Sequence, residues 1–337
     1  MHVLGLDIGG ANIKAATSGG VAASFPFAMW KDWEDLSAFL QTQIAKPFAG
    51  CDAVAVTMTG ELCDCFDSKA SGVSHILETL QEVFSYEKIQ VYSVDGVFLD
   101  GHRANSNWAK VAASNWHALS SYATRYHDNS DELSLVIDLG STSTDVIPIS
   151  TRVEAVGTTD TTRIVNHELV YTGANRTPVC AVVDRFQFRN RHVVPAQEVF
   201  ATMLDVYTIL KDVSEQISNF ETADGRSQTI GNSKRRLARM VCADLCEISN
   251  DELVALARQA KNCQIELVVD AVQQQRARHQ RPVTRLISAG SGEFLVRDLP
   301  RRFPELEIQN LNSVLGKSVC DSAPAFAVAK LFEELQC

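Results

Sequence analysis

The chain has 337 residues, of which 45% are hydrophobic and 21% charged, a balance that suits a globular protein with a substantial core and excludes a disordered one. Its formal charge of −10 argues against a nucleic acid or an anionic membrane as partner, because binding by counterion release needs clustered Lys and Arg. No apolar run approaches the ~20 residues of a membrane helix, and a strand pattern starting directly after Met1 leaves no room for a signal peptide, so a cytoplasmic location is expected.

Taken in chain order, the runs Val3 to Ile8, Ile13 to Ala16 and Val21 to Phe27, separated by Gly-Gly pairs, predict a meander of three antiparallel strands. Trp33, Leu36, Leu40 and Ile44 recur near helical spacing, and "AVAVTM" from Ala53 predicts a buried strand. A helix from Gly72 to Phe84, a strand from Ile89 to Val94 and a long helix from Asn107 to Tyr126, capped by Asn105 or Ser106, follow. The polar "RYHDNSDEL" predicts a boundary, giving lobes 1–128 and 129–337. The second lobe restarts with "LSLVIDLGSTSTDVIPI", continues as alternating strands through Val182, and carries a mainly helical insertion at about 195–277. "VTRLISAGSGEFLVRDL" restores a strand, a glycine loop and a helix, and a final helix at 323–337, started by Pro324, is expected to pack back on the first lobe.

Two stretches share one grammar. Aligning "DIGGANIK" with "DLGSTSTD" pairs Asp7 with Asp138, Gly9 with Gly140, Gly10 with Ser141 and Asn12 with Ser143, at a domain-sized interval of 131 residues. Turns of small residues let consecutive backbone N–H groups converge on one anion, because no Cβ blocks the approach. An aspartate ending the preceding strand repels phosphate unless a cation lies between them, so each turn with its acid implies Mg²⁺ at Asp7 and Asp138. A single such turn is commonly a plain hairpin; two in matching contexts predict a paired phosphate clamp.

The two turns, with "SAGSG" from Ser288, resemble the phosphate and adenosine segments of the actin, sugar-kinase and heat-shock-chaperone superfamily. The blocks "TMTGELCDCFDSKASGV", "ASNWHAL", "ELVYTGANRTPV", "ATMLDVYTIL" and "TADGRSQTIGNSKRRLARMVCAD" are similar to the hydantoinase and oxoprolinase family, in the branch linked to tetrahydromethanopterin-dependent one-carbon transfer. The resemblance implies an α/β protein of two ribonuclease-H-like lobes with an interlobe cleft. It also implies a transferase of methanofuran-type coenzyme biosynthesis, joining a furanmethylamine diphosphate to the phenol of γ-glutamyltyramine with loss of diphosphate. Its alternative is an ATP-dependent small-molecule kinase or a hydantoinase-like hydrolase.

On that reading Gly9, Gly10, Asn12, Gly140, Ser141, Thr142 and Thr144 hold the diphosphate, and Lys14 either adds positive charge or points to solvent. Gly290, Ser291 and Gly292 stand at the adenosine segment; ATP is admissible there but not expected, since Ala289 and Ser291 occupy places often held by glycine. Glu61, after the strand "AVAVTM", is the first expectation for a base that takes the phenol proton, and Asp95 the second; each could equally cap a helix or pair with an arginine. Tyr171, Thr172, Arg176 and Arg163 are the expected contacts of the phenolic amine, an arginine suiting the γ-glutamyl carboxylate by a bidentate fork. Asp205, Asp224 and Arg226 either line the cleft or form an ion pair and a turn. Nine scattered cysteines read as reduced thiols; Cys63 and Cys65 lack the further ligands zinc requires, and Cys242 and Cys246 are expected to face the core. The partners expected are small molecules, with no nucleic acid or membrane; a homodimer is left open.

Overall fold

The computed structural model describes residues 1–336, so the last residue of the helix expected at 323–337, Cys337, lies outside the described residues. Strands β1 (Val3–Ile8), β2 (Asn12–Thr17) and β3 (Ala22–Pro26) form the antiparallel meander, while β4 (Ala53–Met58) pairs parallel with β1 and β5 (Ile89–Tyr92) parallel with β4. A short antiparallel β6 (Phe98–Leu99), which the sequence reading lacks, ends this first sheet. The second sheet repeats the plan: β7 (Leu133–Leu139), β8 (Thr144–Ile149) and the two-residue β9 (Leu169–Val170) run antiparallel, and β12 (Val283–Ala289) and β13 (Glu307–Asn310) extend the other edge of β7 in parallel. A separate hairpin of β10 (Phe186–Phe188) and β11 (Arg191–Val193) precedes β12. Meander plus parallel strands, twice, is the ribonuclease-H-like arrangement expected of two α/β lobes.

Strand alternation decides where the acids go. Leu4, Leu6 and Ile8 of β1 enter the first lobe's core, which leaves Val3, Gly5 and Asp7 on the opposite face. In β7, Leu133, Leu135, Ile137 and Leu139 pack with the helices of the second lobe. Val136 faces the other way, into an apolar cluster with Ala16, Trp116 and Phe326 that joins the lobes. Asp7 and Asp138, each near the end of its strand, therefore stand on the two faces turned toward each other.

The helix Ala323–Leu335 packs on β1, β4 and the helix Asn115–Ala123, closing the chain against the first lobe. Its approach to β1 is close because Ala325 and Ala329, four residues apart on one helix face, meet Gly5.

Several expected elements are corrected. The helix expected from Asn107 to Tyr126 is broken into Trp108–Val111, Asn115–Ala123 and the 3₁₀ turn Thr124–Tyr126, because Ala113 takes a left-handed φ of 48°; the expected caps Asn105 and Ser106 lie instead inside a preceding helix, Gly101–Ser106, whose end Asn107 caps by donating its Nδ2 to the Arg103 carbonyl at 2.8 Å. The alternating strands expected through Val182 are replaced, after β8, by the helix Asp160–Val165, β9, a braced loop and the short helix Val179–Val182. Cys242 and Cys246 are exposed, not core-facing; Cys242, at φ 55°, has already left the helix Ile230–Arg239. Among the described residues no helix is long and apolar enough to cross a membrane.

Candidate active site

The two glycine turns close in the same way. Gly9 donates its backbone N–H to the Asn12 carbonyl at 3.1 Å, and Gly140 donates to the Ser143 carbonyl at 2.9 Å. These bonds shape the turns and consume the first N–H of each, so the donors left for an anion come from the next residues, Gly10 and Ala11 in one turn, Ser141 and Thr142 in the other. Each turn is also braced from behind through one of its carbonyls: Met29 N–H donates to Gly10 O at 2.9 Å, and Ala174 N–H to Gly140 O at 2.9 Å. The first brace sets Trp30 beside its turn. The second, reinforced by Asn175 and Arg176 N–H groups that both reach Ser141 O at 3.0 Å, sets Arg176 beside the other. Gly173 permits this close approach, since a Cβ there would lie 2.4 Å from the Thr142 nitrogen.

Between the turns lies a cleft of about 370 Å³, and both Asp7 and Asp138 line it. Across β1 and β2 Asp7 is the register partner of Lys14, and across β7 and β8 Asp138 is the register partner of Asp145. Lys14 faces the cleft, not solvent, with Nζ 3.7 Å from Asp7 Oδ2. Burial raises the pKa of Asp7 above the ordinary carboxylate value, with Lys14 opposing and Asp145 adding. Asp138 is pushed up to about 7, first by burial, with Lys14 opposing and Asp145 and Asp7 contributing repulsion. Asp145 is raised by burial against the pull of Arg163. The cleft is lined by Asp7, Asp64, Asp138, Asp145 and Asp160 against Lys14, Arg163 and Arg176, so acids exceed bases by two.

Other expected contacts fall into place differently. Arg163 lines the cleft, but its guanidinium pairs with Asp145 and, at 3.3 Å, with Asp160, and lies 4.3 Å over the Trp116 ring. It is a strut whose charge is already matched. Arg176 and the exposed Tyr171 reach the cleft from the second lobe, and Arg176 stacks 4.1 Å over Trp30 of the first. Thr144 and Thr172 do not line it: Thr144 Oγ1 donates to Thr172 O at 2.6 Å, and Thr172 Oγ1 receives Gln264 Nε2 at 2.7 Å, so both hold the braced loop from behind.

Gly290, Ser291 and Gly292 do not line the cleft either; they buttress Asp138. At Gly290, φ +89°, a Cβ would lie 2.3 Å from Asp138 Oδ1, and Gly292 N–H donates to Leu139 O at 2.8 Å. Asp205 and Asp224 form ion pairs with the buried Arg236, both at 2.7 Å, and Asp224 with Arg226 makes the turn.

The two expected bases are also elsewhere. Asp95 is an exposed turn residue paired with Lys110 at 2.5 Å. Glu61 is 1% exposed and outside the cleft lining, because the 3₁₀ turn Gly60–Leu62 directs it inward against the helix Lys69–Val83, which approaches closely enough that a Cβ on Gly72 would lie 2.5 Å from Glu61 O. Neither Glu61 carboxylate oxygen makes a well-formed hydrogen bond, and burial pushes its pKa up to about 7, opposed weakly by the Glu61 and Ala113 backbone N–H groups and by Lys69, with the Asp160 charge adding. A folded pKa above the unfolded one favours the native state at low pH and loses that contribution as pH rises through about 7. Glu61→Gln should therefore gain on wild type by about 3 kcal/mol between pH 4 and pH 8, read as the change with pH in the difference between their urea midpoints; parallel pH profiles would mean that Glu61 is not a buried, unpaired acid.

The residues missed from sequence include Ala11, Trp30, Thr59, Asp64, Asn115, Asp145 and Asp160, all in the cleft wall. A signal existed for Asp145: continuing the alignment of the two turns two residues past Asn12 and Ser143 pairs Lys14 with Asp145.

A solved structure of acetone carboxylase in its nucleotide-free state superposes with a TM-score of 0.53 at 9% identity, covering 97% of this chain and 70% of that one, a likeness of fold alone. The sequence profile of the hydantoinase/oxoprolinase family matches residues 52–335. The chain belongs to this family. Among hydantoinase/oxoprolinase relatives, the (4-{4-[2-(gamma-L-glutamylamino)ethyl]phenoxymethyl}furan-2-yl)methanamine synthase of Methanocaldococcus jannaschii is 32% identical over 98% of both chains. The protein of the same name from Methanococcus vannielii is 29% identical over 61% of this chain and 93% of its own.

Proposed function

We propose that this hydantoinase/oxoprolinase-family protein is a biosynthetic transferase that displaces diphosphate from a furanmethylamine diphosphate with the phenol of γ-glutamyltyramine, forming the aryl ether that the names of its relatives describe. The observation that carries the reading is the cleft itself: residues of both turns whose backbone N–H groups have no partner line it together with an excess of acid. N–H donors aimed at one space suit a phosphate chain, and excess carboxylate suits one only in company with a cation.

The donor set fits Mg²⁺. Asp7 Oδ1 is buried with no hydrogen-bond partner, and hard oxygen ligands supplied by one or two carboxylates plus phosphate are what that ion prefers. Asp7 and Asp138 would hold it, and when bound it would neutralise charge growing on the departing diphosphate.

The chain's own groups account for the rest. Gly10, Ala11, Ser141 and Thr142 N–H groups bind the diphosphate and stabilise it more as the furfuryl C–O bond breaks and the electron pair leaves with it. Lys14 adds positive charge beside Asp7. The phenol oxygen forms the new C–O bond and its proton passes to the departing diphosphate; ionisation at the furfuryl carbon lessens the need for a stronger base, consistent with neither Glu61 nor Asp95 lining the cleft.

Calorimetric titration of the protein with inorganic diphosphate and with ATP, each with Mg²⁺, tests the reading, followed by mass spectrometry of the protein incubated with the two substrates. Binding of Mg²⁺-diphosphate and appearance of the ether are expected. Tight ATP binding with hydrolysis and no ether would replace it with an ATP-dependent reaction.

A further inference from the structure

Beside the acidic cleft lies a second, larger interlobe chamber of about 1180 Å³. The two share Ala11, Asn12, Trp30, Ser141 and Arg176, so the Trp30–Arg176 stack is the partition between them. The partition is built from both lobes: Trp30 follows the Met29 brace on the first turn, and Arg176 belongs to the loop braced on the second. The chamber's wall is of another kind. Phe27, Phe39 and Phe220 join Trp30 as an aromatic lining, and Asp32, Asp35 and Glu221 stand in it with Arg176 as the single base among its lining residues. Glu221 also lies 3.8 Å from Lys31, an exposed pair linking the lobes at this chamber.

A chamber of this size exceeds what a compact ligand needs and accommodates an elongated one. Aromatic walls take an aromatic ring, and carboxylates without matching bases take an ammonium. We infer that this chamber binds the nucleophilic substrate as an elongated aromatic carrying an ammonium at its far end, with Asp32 and Asp35 receiving the ammonium, the ring lying against the phenylalanines, and the reacting hydroxyl directed past Trp30 and Arg176 to the diphosphate cleft. The inference rests on the proposed transferase reading and adds to it the place and recognition chemistry of the acceptor. It assigns Arg176 to the junction of the two sites, beside the reacting hydroxyl and not at the γ-glutamyl carboxylate where the sequence reading places it, and it separates binding of the acceptor from binding of the diphosphate.

The test compares γ-glutamyltyramine with glutaryl-tyramine, the same molecule lacking only the α-amino group, by calorimetric titration against the full chain and against Asp32→Asn/Asp35→Asn. Both aspartates are exposed, and the variant's circular dichroism checks its fold. Wild type should bind the amino compound about tenfold more tightly, and the variant should lose that preference. Its affinity for inorganic diphosphate with Mg²⁺ should be unchanged. Equal binding of the two compounds by wild type, no binding of either, or a preference that survives in the variant would overturn the inference. Failure of Mg²⁺-diphosphate to bind wild type would instead sink the transferase reading, so the two failures are told apart by separate titrations.

Discussion

Asp7→Asn should abolish diphosphate-dependent turnover, by a factor of about 10³ or more, while leaving the protein at least as stable as wild type near pH 8. The two halves of that result come from one cause. Asp7 is buried on the interlobe face of β1, its Oδ1 has no hydrogen-bond partner, and burial raises its pKa, so the folded state binds its proton more readily than the unfolded state does. Its contribution to stability is complete below the ordinary carboxylate value and is lost as pH rises through the elevated one. Well above the ordinary carboxylate value, burying this acid costs stability whichever protonation state the folded chain holds, and an isosteric amide removes that cost along with the 3.7 Å pairing to Lys14. A residue kept at such a cost is explained by what it does to a ligand. The measurement pairs steady-state turnover with urea midpoints at pH 5 and pH 8. Wild-type activity in the variant would remove Asp7 from the mechanism; activity lost together with several kcal/mol of stability would mark it as structural.

The parts of this site that could be read from sequence are those set by strand period and turn chemistry. Asp7 and Asp138 are legible because each ends an apolar run directly before a turn of small residues, and a strand's two-residue period then fixes which face they share with their neighbours. Lys14 and Asp145 are legible in principle from the same register. Glu61 fails for a tertiary reason: the turn after β4 could open outward or inward, and the packing of Gly72 against it, which no local pattern announces, turns it inward. Trp30 is illegible for a similar reason, since its place depends on a bond from Met29 N–H to a carbonyl 19 residues earlier. The expected long helix hides Asn115, because a single left-handed residue, Ala113, breaks an otherwise acceptable helical run and delivers the next helix's first residue to the cleft. Thr144, Thr172 and the glycines at 290 and 292 illustrate the converse: motif residues next to a cradle can serve it from behind.

Gly5→Ala should be the most damaging single-methyl change in the chain. Gly5 lies mid-strand in β1, paired with Ala16 on β2 and Ala55 on β4, so it cannot slide without breaking two ladders. A Cβ there would stand 1.9 Å from the Ala325 carbonyl oxygen and 2.9 Å from Ala329 Cβ. The first of these atoms is helix backbone, with no rotamer to yield, so relief requires moving the whole helix Ala323–Leu335 off the first lobe. That helix carries Ala325, Phe326 and Ala327 into the cluster joining the lobes and Val328, Ala329 and Phe332 into the packing against β1 and β4, and its displacement would loosen both. Forced overpacking of a core typically costs about 1–3 kcal/mol, and a clash with backbone belongs at or above the upper end of that range. Asp7 lies two residues along the same face, so the cleft should be disturbed as well, and Mg²⁺-diphosphate binding should weaken with stability. The same glycine-to-alanine change at Gly231 supplies the contrast: it has open space around it within the helix Ile230–Arg239, and alanine there should raise stability by up to about 1 kcal/mol. Urea midpoints of the two variants should thus move in opposite directions from wild type. A Gly5→Ala protein that kept the wild-type midpoint would show that strand and helix can separate freely, and that the closing helix does not set the position of Asp7.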